Sequence, residues 1–340
     1  SIWAKYVRAI RGVWVKPTLL AKEQDAELVI NSESLANKDY RISIGTNRKN
    51  SVLVAITNLK TDEKSWAASA SNRPNLTKER YKRISQLVNQ TIQLRPKPDY
   101  VIFPELSVPL EWVDSITSRL SAAGISLIAG TEYRHEPVKK IFSQACLHLV
   151  DNRLGFPASV RIWQDKMCPA VGEEHNLVHF PGKEWKYPYE EGMVAKKPVY
   201  RHNGFHFGVM VCSELQNSQQ RISFQGNVDA VFIVAWNQDL DTFSALVEAS
   251  ALDIHAYTVL VNNRTYGDSR VRAPAKESYR RDLARLRGGE NDYCVSVQLN
   301  IDDLRAFQSR AKRTPHTDDP FKPVPEGFKL DPSRKRVPPK

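Results

Sequence analysis

The sequence predicts an α/β fold, and three observations carry that prediction. From residue 51 to residue 300, short apolar runs of strand length alternate with segments whose apolar residues recur at helical spacing. With 340 residues, 41% hydrophobic and 26% charged, the chain can bury one large core or two modest ones. Three of the apolar runs end in a carboxylate, an amine and a thiol, and strand ends are where sites assemble in layered sheets.

Taken in order, 51–58 reads as the first strand. Residues 77–94 read as an amphipathic helix, because Tyr81, Ile84, Leu87, Val88 and Ile92 recur at helical spacing and Thr77 can cap the first turn. A strand at 100–104, a short helix near 111–122, a strand at 125–130 and two further strands around 145–150 and 160–163 follow. The stretch 182–198, rich in aromatic, charged and proline residues, reads as an insertion or lid loop. Runs 205–212, 228–236 and 257–262 are strands, 243–255 has helical spacing, and 293–299 closes the series.

The regular series spans 51–307. Residues 1–50 stand outside it as an N-terminal extension, the end or linker of an upstream domain, and Trp3, Tyr6, Val7, Ile10, Val13 and Trp14 make it too apolar to be solvated on every side. The start lacks the pattern of a secretory signal and reads as part of a longer polypeptide. Residues 308–340 form a basic, Pro-rich tail with Lys312, Arg313, Lys322, Lys329, Arg334, Lys335, Arg336 and Lys340, which contributes to a net charge of +11. Such an end suits nucleic acid or a solvated tail equally well, and no zinc-finger, RNP-like or basic-zipper motif accompanies it. No apolar stretch is long enough for a membrane-spanning helix. Four dispersed cysteines, Cys146, Cys168, Cys212 and Cys294, predict a reducing, cytoplasmic setting.

The chemistry resides in three strand ends: Val101-Ile102-Phe103-Pro104-Glu105, Ile162-Trp163-Gln164-Asp165-Lys166 and Gly208-Val209-Met210-Val211-Cys212. Singly, each has a plain structural explanation as a turn, a solvated edge or core filler. Together they make sense as a nucleophile and its helpers. A thiol is mostly protonated near neutrality and needs a base, here Glu105. Charge that develops on an attacked amide or nitrile needs fixed donors, here Lys166 and the amide of Ser213. His175 with His179, and His202 with His206, stand at metal-ligand spacing, but Pro181 and Gly204 argue against long helices, so they read as surface or pocket-rim residues rather than a zinc site.

Phe103-Pro104-Glu105, Lys166-Met167-Cys168-Pro169 with Glu174 following, and Gly208-Val209-Met210-Val211-Cys212 resemble the motifs of the nitrilase, or carbon-nitrogen hydrolase, superfamily in order and approximate spacing. Ile128-Ala129-Gly130-Thr131-Glu132 resembles its Gly-x-x-Glu strand end, and Gly267-Asp268-Ser269 through Pro274 its Gly-x-Ser-x-x-x-x-Pro element; the resemblance covers about 51–300. It implies an αββα sandwich that pairs through helices near the site. It also implies Glu105 as base, Lys166 as electrostatic stabiliser, Cys212 as nucleophile, and Glu174 as a second glutamate that positions the lysine, with Glu173 as the competitor for that role. The reaction implied is hydrolysis of an amide or nitrile through a covalent thioester, without metal or organic cofactor. A homo-oligomer is implied as well.

Two departures stand out. Ser213-Glu214-Leu215-Gln216-Asn217 carries no proline where many relatives have one, and 182–198 is unlike the short loop of the family. The orphan extension, the basic balance and the divergent pocket also resemble nitrilase-like domains fused behind reverse transcriptases in bacterial antiviral defence, which implies a polymerase and nucleic acid as neighbours. In that setting the fold can equally serve as a regulatory or scaffold domain with little turnover. The presence of all three catalytic residue types favours the hydrolase.

Overall fold

Two sheets receive the apolar runs. The computed structural model describes residues 41–45, 49–136, 140–151, 158–180, 184–187, 197–310 and 317–336. Its strands are β1 (Arg41–Ile44), β2 (Ser51–Asn58), β3 (Tyr100–Val108), β4 (Ser126–Thr131), β5 (Arg134–His135), β6 (Lys140–Phe142), β7 (Gln144–Asp151) and β8 (Ala158–Asp165). They continue with β9 (Glu184–Trp185), β10 (Val199–His202), β11 (Phe205–Val211), β12 (Ala230–Ala235), β13 (Tyr257–Asn262), β14 (Ser269–Arg272), β15 (Asp282–Leu286) and β16 (Tyr293–Asn300). One sheet has the order β1-β10-β11-β12-β13-β14-β15 and the other β16-β2-β3-β4-β7-β8, while β5-β6-β9 form a small third sheet.

Strand alternation assigns side chains to layers. In β3, Tyr100 and Ile102 face the core between the sheets, whereas Val101 and Phe103 face outward beneath helices. The same alternation puts Ile128 inside and Leu127 and Ala129 outside in β4. Between the sheets Tyr100, Phe205, Phe207 and Phe232 form an aromatic cluster with centroids 5.3 to 6.2 Å apart. Helices α1 (Glu63–Ala70), α2 (Lys78–Gln93), α3 (Val113–Ala122), α4 (Val171–Leu177), α5 (Ser218–Ser223), α6 (Leu240–Ser250) and α7 (Ile301–Gln308) complete the chain. Ile84, Leu87 and Val88 of α2 and Ile116 and Leu120 of α3 cover the outer face of the six-stranded sheet. On the other sheet α6 buries Phe243 and Val247. The layers are therefore α, β, β, α, the sandwich of the nitrilase type.

Several local expectations are adjusted. Thr77 occupies the N-cap position of α2 but its side chain makes no capping bond. The helical run expected over 243–255 ends as α6 and continues as one π turn, Ala251–His255, closed by His255 at φ +56°. Part of the N-terminal extension joins the fold, since β1 pairs in parallel with β10. The apolar positions from Trp3 to Trp14 and most of 182–198 lie outside the described residues.

The basic tail is also more than a solvated end. Phe321 packs edge-on against Phe307, and Phe328 against His255. Arg334 is fully buried and donates to Asp229 Oδ1 at 2.8 Å, the same carboxylate that receives the buried Arg305. Removing two guanidinium groups from water is costly unless a carboxylate meets them; burial pushes Asp229 up, but Arg334 and Arg305 outweigh it and hold the carboxyl well below the usual carboxylate range.

Candidate active site

The side chains of Glu105, Lys166 and Cys212 come together from three strands. Glu105 lies within β3, whose pairing with β4 shifts register after Phe103. That irregularity frees Pro104 and Glu105 from the ladder, and Leu106 follows at φ +54°. Gly130 of β4 makes the approach possible, because a Cβ there would stand 2.3 Å from Glu105 Cα. Lys166 directly follows β8, and Cys212 directly follows β11 as the first residue of a 3-10 turn. Cys212 sits at φ +48°, a left-handed conformation that a non-glycine residue adopts only when its surroundings hold it there.

The ammonium of Lys166 donates to Glu105 Oε1 at 2.9 Å and to Glu173 Oε2 at 2.5 Å, with the lysine only 1% exposed. Glu173, not Glu174, thus reaches the lysine. Glu173 also accepts from Tyr133 Oη at 2.6 Å and from the Ala170 amide at 3.0 Å, so its position is fixed from three sides. Opposite, Glu105 Oε2 accepts from the Trp236 amide at 3.1 Å, and the Cys212 thiol points to the Trp236 carbonyl at 3.7 Å. Trp66, Tyr133, Phe180, Trp185 and Trp236 form an apolar cluster around this end of the sandwich, and the Trp185 ring centroid is 5.9 Å from Lys166 Nζ.

Burial governs the protonation of the group. It pushes the Cys212 thiol well up, reinforced by Glu105 and opposed by Lys166, so the resting thiol is neutral. Burial likewise raises Glu105, against the pull of Lys166 and a hydrogen bond from Cys212, which strengthens it as a proton acceptor. Burial alone would lower Lys166, but Glu105 and Glu173 outweigh it and hold the amine charged. Glu173 is therefore as much a part of the site as Glu105.

Behind the cysteine lies a second buried carboxylate. Glu214 Oε2 accepts from the Val211 amide at 2.7 Å, and Oε1 from the Met167 amide at 2.7 Å and from Lys197 Nζ at 2.6 Å.

The histidine pairs fall elsewhere. His175 and His179 are one turn apart at α4, rings edge to face at 5.7 Å. His202 and His206 flank the Asn203-Gly204 turn of the β10–β11 hairpin, and both are buried rather than on a surface or pocket rim. His202 bonds Tyr100 Oη through Nδ1 and the Val150 carbonyl through Nε2, so it is a satisfied core residue.

Solved structures from the nitrilase superfamily share this fold. Among solved structures, an amidase from Nesterenkonia sp. aligns over 78% of this chain and 96% of its own at 16% identity with a TM-score of 0.53. Nit3 of Saccharomyces cerevisiae, a member of branch 10 of the nitrilase superfamily, aligns over 83% of this chain and 99% of its own at 14% identity with a TM-score of 0.56. A mutant of the Nesterenkonia amidase that shows covalent addition of the acetamide moiety of fluoroacetamide at its active-site cysteine aligns over 78% of this chain and 97% of its own, at 15% identity and a TM-score of 0.52. No protein-family model and no curated protein sequence matches the chain.

Proposed function

We propose that this protein is a carbon-nitrogen hydrolase of the nitrilase superfamily, acting on amides, with Cys212 as nucleophile, Glu105 as general base and acid, and Lys166 as the fixed cation. The observation that supports this most is the buried row Glu105–Lys166–Glu173 set beside a cysteine held at positive φ. Structural ion pairs seldom keep an extra buried carboxylate, whereas a base that must accept a proton needs one negative charge to spare.

The reaction follows from these positions. As Cys212 Sγ attacks the amide carbon, its proton passes to Glu105 and the C=O π electrons move to oxygen, where the Lys166 ammonium and the Ser213 amide meet the charge. Glu105 then gives the proton to the nitrogen, the C–N bond breaks, and the amine leaves a thioester on Cys212. Water attacks the thioester after giving a proton to Glu105. The C–S bond breaks, the acid departs, and that proton returns to sulfur. A nitrile would enter the same path through a thioimidate.

The test is intact-mass spectrometry during incubation with a panel of short aliphatic and aryl amides, read together with ammonia release. An acyl adduct on Cys212 and ammonia release, both lost in Cys212→Ala, are expected. A panel that yields neither would overturn the hydrolase and leave the regulatory or scaffold reading of this fold.

A further inference from the structure

We infer that Lys197 is a positioning residue for this chemistry: its ammonium fixes the Glu214 carboxylate that ties the nucleophile's turn to the lysine's loop. The inference rests on the reading of Cys212 and Glu105 given above. Its evidence is a set of contacts that the proposed reaction does not use.

Glu214 lies two residues beyond Cys212 and spends both oxygens on backbone. One oxygen holds the amide of Val211, the residue before the nucleophile, and the other holds the amide of Met167, the residue after Lys166. A single carboxylate thereby sets the separation between the attacking sulfur and the stabilising cation. Such a strut needs a counter-charge, because an unpaired carboxylate in this interior would relax toward water or take up a proton. Lys197 supplies it. Its side chain is fully buried, its Nζ lies 2.6 Å from Glu214 Oε1, and it reaches the carbonyl of Asp165, the residue before Lys166, at 3.4 Å. The lysine thus touches both halves of what it aligns.

Nothing about this pair suits a surface role. Burial of Lys197 is costly, since it pulls the amine below its ordinary value even with Glu214 beside it. Among the described residues neither side chain hydrogen-bonds to Glu105 or Cys212, so the pair acts on distance and angle. Misplacement of reacting groups by about 1 Å costs on the order of a hundredfold in rate. The strut and its lysine come from two segments the family motifs do not join: Glu214 from the turn after β11, and Lys197 from the residues leading into β10.

The experiment is the rate of iodoacetamide alkylation of Cys212, followed by peptide mass spectrometry in wild type, Glu105→Gln, Lys197→Met and the double variant Lys197→Met/Glu214→Gln. The double variant removes both buried charges together, so it stays folded where the single one fails to. Both Lys197 variants are expected to slow Cys212 alkylation at pH 8 at least tenfold, with the shape of its pH dependence between pH 6 and pH 9 unchanged and Cys146 still protected. Wild-type rates at pH 8 in folded Lys197 variants, alongside a slowed Glu105→Gln, overturn the role of Lys197 alone. If Glu105→Gln also alkylates at the wild-type rate, the reading of the site itself fails.

Discussion

Glu173 Oε2 and Lys166 Nζ stand 2.5 Å apart on a short helix and a strand end that are separated by seven positions in sequence. Ala170 caps that helix with its amide on the same carboxylate, so the lysine's orientation is set by the first turn of α4. Charge-assisted hydrogen bonds of this kind contribute about 1.5–3 kcal/mol, or roughly 10- to 150-fold in rate if the bond matters to the transition state. Glu173→Gln is expected to lose that much kcat/KM in amide hydrolysis, and Glu174→Gln to stay near wild type. Equal losses in the two variants would falsify the assignment.

Lys166→Met leaves Glu105 and Glu173 buried together without a cation. The expected cost is about 3–5 kcal/mol of stability at neutral pH, measured by urea unfolding. The sign with pH follows from Glu105. Its folded-state value is already raised by burial, and removing Lys166 removes the main opposing influence. A carboxyl raised in the folded state loses stability as pH climbs above its unfolded value, so the variant should be weaker at pH 8 than at pH 5 relative to wild type. A penalty that grows toward acid contradicts this account.

Four buried histidines weigh on stability between pH 7 and pH 5. Burial brings His148, His202, His206 and His255 each down to about 4. A histidine lowered in the folded state contributes stability above its unfolded value of about 6.5, and that stability is lost as pH falls toward the folded value, because the unfolded chain binds the proton first. Each contributes a slope of up to about 1.4 kcal/mol per pH unit. Urea unfolding should therefore show a drop of several kcal/mol between pH 7 and pH 5, and a flat profile there would exclude neutral burial of the four.

Gly130→Ala tests the contact beneath Glu105. The new methyl would fall within 2.3 Å of Glu105 Cα and 2.7 Å of the Pro104 carbonyl oxygen, both backbone atoms that cannot swing aside. The expected outcome is a stability loss of about 1–3 kcal/mol with at least a tenfold fall in activity of the folded fraction. Retained activity with wild-type stability would mean that β3 and β4 part more easily than their packing suggests.

Much of this was legible in the sequence for definite reasons. The core strands announce themselves because both faces of β3, β4 and β12 are buried, which demands unbroken apolar runs. Three strand ends with unusual residues then pointed to one place. The less visible parts are those whose partners are far away in sequence. Glu173 and Glu174 both lie close after Lys166, and only the turn of α4 decides which one faces the amine. Glu214 sits in a segment marked in sequence only by its missing proline, yet its carboxylate is committed to two amides and a lysine. The edge strand β15 is short and largely exposed, and only Ala284 and Leu286 turn to the core, too brief an alternation to read. Arg334 illustrates the hardest case, since a basic residue among prolines gives no hint of a buried carboxylate 105 positions earlier.

The row of two carboxylates around one ammonium also sorts reagents by their charge. Two carboxylates face one ammonium in an interior that screens poorly, and burial keeps the thiol uncharged. An anionic electrophile must enter against that field, whereas an uncharged one of the same shape need not. Iodoacetate should accordingly label Cys212 far more slowly than iodoacetamide, while the exposed Cys168 shows a smaller preference. By the same logic, small molecules that occupy this site are best sought among neutral carbonyl compounds rather than carboxylic acids, and under the proposed hydrolysis an acid product would be expelled by the same field.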